Sequence, residues 1–80
     1  MEKEVNYNGH TYWVKIEPAI YQPTGETVFI AYVNDQRPGY LLYGKAVRGS
    51  DNRVMLFGDE ITALTNANAI KQSEIDNQNV

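Results

Sequence analysis

Apolar and polar residues alternate along residues 4–17 and then stop alternating. The alternating stretch predicts a hairpin. Val5-Asn6-Tyr7 and His10 to Ile16 flank Asn8-Gly9. Asn-Gly between such runs is the strongest short hairpin signal, because a type I′ turn needs φ > 0 at both central positions. A two-residue turn sets Tyr7 opposite His10 and Val5 opposite Tyr12. One face then carries Val5, Tyr7, His10, Tyr12, Val14 and Ile16, and the period of two puts Glu4, Asn6, Thr11, Trp13, Lys15 and Glu17 on the other. The first is the expected core side, with His10 in a packing or turn role at its end. The second is polar apart from Trp13.

Further on, Val28–Val33 reads V-F-I-A-Y-V, Tyr40–Tyr43 reads Y-L-L-Y and Val54–Phe57 reads V-M-L-F. A sheet wetted on one side should alternate, so these strands look apolar on both faces. Only one helix is expected, so a second cover is needed: a curled sheet, a loop, a copy of the same chain, or a partner. The loop candidate is Pro18–Gly25. Pro18 cannot donate to a ladder and should end the second strand. Pro23-Thr24-Gly25 forms the turn, and Ile20 and Tyr21 would fold back onto the body. Strand three spans Glu26 to Val33, and Asn34–Gly39 is a turn cluster. Strand four runs from Tyr40 to about Arg48, where Gly44 marks a bulge or bend. Gly49–Asn52 is a four-residue hairpin loop, and strand five is Arg53 to Phe57.

After Gly58 the pattern becomes helical. Asp59 is a good N-cap and Glu60 suits the positive end of the helix dipole. Ala63, Leu64, Ala67 and Ile70 share a stripe. Thr62, Thr65, Asn66 and Asn68 are mediocre helix formers, so the helix needs tertiary packing to persist. From Gln72 onward no pattern is clear. The reading is one compact domain over 1–72 and a frayed tail over 73–80. The fold class is α+β, an antiparallel meander of about five strands followed by one C-terminal helix packed on one face. The alternative is a small SH3-like or OB-like barrel capped by that helix.

Gly58-Asp59, Ala63-Leu64, Asn66-Ala67 and Ala69-Ile70 resemble the start of the helix in HicB-type antitoxins, where a Gly-Asp step opens an alanine-rich helix after a short sheet. The likeness covers 58–70. Members of that family carry a Pro-Gly-Cys-like turn just upstream. Here Pro38-Gly39 lies well before it and the chain has no cysteine, so no functional residue is carried over.

Charge changes the picture modestly. The net charge is −3. Residues 37–53 hold Arg37, Lys45, Arg48 and Arg53 against Asp51, while the segments on either side are acidic. The acidic whole argues against nucleic acid as a partner. No apolar run approaches the ~20 residues of a membrane span, and the charged start has no signal-peptide core. A soluble, cytoplasmic protein is the expectation.

Candidate chemistry is sparse. His10 is the only histidine and there is no cysteine, which excludes a His/Cys zinc site. Ser50 and Ser73 lack a nucleophile context. Asp59 and Glu60 read as helix-start residues, and Asp35 and Asp51 as turn residues. No calcium loop, P-loop or dinucleotide fingerprint is present. The expectation is a non-catalytic protein with no cofactor, no metal and no small-molecule substrate. Aromatic residues are more suggestive: the chain has six tyrosines, and Tyr and Trp combine apolar area with a polar handle at interfaces. Candidate partner-binding residues are Trp13, Tyr21, Tyr43, Lys45, Arg48 and Arg53. The leading expectation is a protein-interaction module, homodimeric in one version, using an uncovered sheet face or edge. The alternatives are a small acidic inhibitor or antitoxin-like protein meeting a basic partner, and a single-stranded nucleic-acid binder.

Overall fold

A computed structural model describes residues 1–37, 39 and 44–78. Among these residues four strands form an antiparallel sheet in the order β1-β2-β3-β4, and one helix follows. They are β1 (Glu2–Tyr7), β2 (His10–Tyr21), β3 (Glu26–Asn34), β4 (Lys45–Ala46) and α1 (Glu60–Gln78). The class is α+β, as the residue pattern implies. The sheet is open, not a closed barrel.

The first hairpin forms in the expected register. Tyr7 pairs with His10 and Val5 with Tyr12. Asn8 at φ 49° and Gly9 at φ 79° supply the two positive dihedrals of the turn. Tyr12, Val14 and Ile16 are buried under α1, but His10 is exposed and does not pack.

Pro18 does not end β2. Ile16 donates its N–H to Met1 O at 2.7 Å, toward β1. Two residues on, the Pro18 nitrogen points the same way, where no described residue pairs with β2. The missing donor therefore costs no ladder bond, and β2 continues to Tyr21 opposite Glu26. Residues 18–21 are strand, not a loop that folds back. Ile20 and Tyr21 are 55% and 41% exposed.

Length explains that exposure. The 19 residues of α1 span about 28 Å at 1.5 Å per residue. The helix starts just after Phe57, which bridges Phe29 opposite Pro18. It ends near the first turn, where Asp76 accepts hydrogen bonds from Tyr7 and Asn8. From Pro18 back to His10 is about 27 Å of strand, so α1 covers that stretch and no more. The β2–β3 tip extends beyond it.

The core lies between the sheet and α1: Tyr12, Val14, Ile16, Ala31, Val47, Phe57, Ala63, Ala67 and Ile75. Asp59 caps the helix by accepting the Thr62 N–H at 2.7 Å and the Thr62 hydroxyl at 2.9 Å. The expected stripe is the face that packs, but it continues. Ile75 is 2% exposed, and residues 73–78 are helix where a frayed tail was expected. Lys71 sits on the same ridge, four residues after Ala67 and four before Ile75, with only 14% of its side chain exposed. Its stem covers apolar surface and its ammonium emerges to Asp35 at 2.9 Å. That charge at a core-spaced position hid the last two turns.

The expected fifth strand is reduced to isolated bridges, Arg48 with Val54 and Phe57 with Phe29. The turn at 49–52 forms, closed by Asn52 N–H to Gly49 O at 2.9 Å. Strand four is short among the described residues, and residues 40–43 of the expected strand lie outside them. Gly44, at φ 95°, stands so close to β3 that a Cβ there would lie 2.5 Å from Val33 O. Only glycine fits that return against the end of β3.

Candidate functional site

Register pairs lay out the sheet face opposite α1. Trp13 stands opposite Asn34, Lys15 opposite Tyr32, Glu17 opposite Ile30 and Ala19 opposite Val28. On the β1 side, Glu4 is beside Trp13 and Glu2 beside Lys15. On the β4 side, Ala46 is beside Tyr32. Alternation forces this composition. The helix takes Phe29, Ala31 and Val33 from β3, so Val28, Ile30 and Tyr32 must point the other way.

Trp13, Ala19, Val28, Ile30, Tyr32 and Ala46 are half-buried. Among the described residues no element packs over them: α1, Val47, Met55 and Phe57 all belong to the other side. Lys15 Nζ lies 3.4 Å from a Glu17 carboxylate oxygen in the middle of this face, with 19% and 38% of the two side chains exposed. Over β2 and β3 the strip is therefore apolar and aromatic around one ion pair, with Glu2 and Glu4 along its β1 edge. At its upper end a shallow depression of about 300 Å³ is lined by Glu2, Glu4, Trp13 and Arg37. There Asn34 Oδ1 accepts the Gln36 N–H at 3.3 Å, and Asn34 Nδ2 is buried without a hydrogen-bond partner.

A second concavity, of about 850 Å³, lies on the helix side, between the ends of β3 and β4 and the last turns of α1. Lys45 and Arg48 line it together, with Lys71 and Glu74 across from them. Strict alternation along a strand would have put Lys45 and Arg48 on opposite faces. The named strand stops at Ala46, although Val47 N–H still donates to Ala31 O at 2.8 Å and Met55 N–H to Val47 O at 2.9 Å. The Arg48 guanidinium donates to Asn52 O at 2.9 Å.

The expected binding residues do not form one site. Trp13 and Tyr21 share the open face but are eight positions apart on β2, about 26 Å. Lys45 and Arg48 share the helix-side groove. Arg53 is exposed beside the 49–52 turn, its N–H bonded to Asp51 Oδ1 at 3.0 Å. Tyr43 lies outside the described residues. The two-faced apolar pattern already marked Ile30 and Tyr32. In the sequence Lys15 and Glu17 read as ordinary charges on the polar face of one strand.

Perturbed titrating groups sit at the helix ends, away from the open face. A hydrogen bond to Asp76 raises the Tyr7 phenol above its ordinary value, helped by desolvation and the Asp76 charge. The Thr62 N–H, then the Thr62 hydroxyl, hold the Asp59 carboxyl below the ordinary value. Among the described residues no group of three His, Asp or Glu side chains is placed to hold a metal ion, and no helix is long and apolar enough to cross a membrane.

The chain matches no protein-family model, no curated protein and no solved structure. The resemblance of residues 58–70 to the HicB-type helix thus has no matching family model behind it.

Proposed function

We propose that this chain is a non-catalytic protein-interaction module that binds through the sheet face opposite α1. One observation carries the reading. Val28, Ile30 and Tyr32 run along β3 with Trp13 diagonal to Tyr32 on β2, an apolar and aromatic strip flanked by the Lys15–Glu17 pair, and no described element covers it. Contiguous apolar surface rimmed by polar groups marks interaction sites, and Trp and Tyr supply interface area at low entropic cost.

A test uses fluorescently labelled protein sedimented in extract of the source cells. Wild type is expected in an assembly heavier than the 9.1 kDa chain. Ile30→Asp, which places a charge in the strip and leaves the helix side untouched, is expected to sediment as the free chain. Identical sedimentation of the two would sink the reading.

A further inference from the structure

We infer that the occupant of the open face is a second copy of this chain, seated face to face about a two-fold axis that crosses the strands at right angles between the Lys15 and Glu17 levels. The inference rests on the interaction-module reading and names its partner.

Charge placement selects both the partner and the axis. A symmetric interface is self-complementary: if one residue meets another, the reverse contact also forms. The strip holds one Lys and one Glu at successive levels of the same strand, 3.4 Å apart. An axis across the strands lays β2 on β2 with the levels reversed. Lys15 then faces Glu17 of the second copy, twice, and the four charges alternate in sign. On β3 the same operation sets Tyr32 over Ile30. At the ends it sets bulky Trp13 over Ala19, large against small. An axis along the strands would instead lay β2 on β3, with Lys15 over Tyr32 and Glu17 over Ile30. That sets the Glu17 carboxylate against the apolar Ile30 with no opposite charge facing it, which is costly.

Light scattering on the pure protein over a concentration series, with Trp13 emission recorded on the same samples, provides the test. Wild type is expected at twice 9.1 kDa when concentrated, with Trp13 emission moving to the blue as the dimer forms. Lys15→Glu sets four carboxylates together and Glu17→Lys sets four ammonium groups together. Each is expected to raise the dimer dissociation constant by roughly tenfold or more. The double variant K15E/E17K restores alternation, and with it the dimer. Circular dichroism checks folding, and the double variant keeps the intrachain pair as a control. A wild type that stays at 9.1 kDa with unchanged emission overturns the inference, as does a dimer that neither single swap weakens. A monomer in buffer that still joins an Ile30-dependent assembly in extract removes the second copy alone. A monomer in both removes the module reading as well.

Discussion

The Tyr12 hydroxyl donates to Asn68 Oδ1 at 2.7 Å, tying the centre of the sheet to the middle of α1. The same oxygen accepts from Gln72 Nε2 at 3.2 Å. Tyr12 is fully buried, in the core cluster that also holds Ala63 and Ala67. Asn68, a mediocre helix former, is thereby accounted for: with Gln72 it satisfies the one polar atom that the largest buried side chain brings inside.

Tyr12→Phe should cost about 1–1.5 kcal/mol in urea unfolding, because it removes one hydrogen bond and orphans two half-buried amide groups. The m-value should not change. A variant as stable as wild type would mean that water replaces the hydroxyl.

Ile75→Ala should cost about 2–4 kcal/mol, the usual range for emptying a buried aliphatic site. Ile61→Ala, at a position 77% exposed, should stay within ~0.5 kcal/mol. Equal, small effects would restore the reading of residues 73–78 as a frayed end.

Stability should bend at both ends of the pH scale, for different residues. The folded Tyr7 phenol lies above its ordinary value of 10.0. Its contribution is complete below that pH and is lost as pH rises through the folded value. The folded Asp59 carboxyl lies below its ordinary 3.8. Its contribution is present above that pH and is lost as pH falls through the folded value. Thermal melts of Tyr7→Phe should therefore lose part of the alkaline limb only, and those of Asp59→Asn part of the acid limb only. Unchanged limbs in both variants would contradict the assigned hydrogen bonds.

The hairpin register was legible because three local signals agree: Asn8-Gly9, strict alternation, and apolar residues on one side. The helix was legible from its cap and stripe up to Ile70. It was not legible beyond, because Lys71 occupies a core-spaced position with its charge led out to Asp35. Pro18 misled for a related reason. A proline bars a strand only where its nitrogen faces a neighbour, and sequence alone does not reveal on which side β1 stops. The uncovered face was legible in the V-F-I-A-Y-V run. The ion pair that gives it a symmetry was not, since Lys15 and Glu17 read as ordinary charges on a solvated strand.

The central claim is that the face opposite α1 is closed by a second copy. Relaxation of side-chain methyl signals by a soluble paramagnetic agent, in dilute and in concentrated protein, tests it most directly. The account predicts that the Val28 and Ile30 methyls are relaxed in dilute protein and protected in concentrated protein, while the Ile61 methyls on the outside of α1 stay relaxed throughout. Equal relaxation of Ile30 at both concentrations, or protection that appears at Ile61 instead, would contradict it.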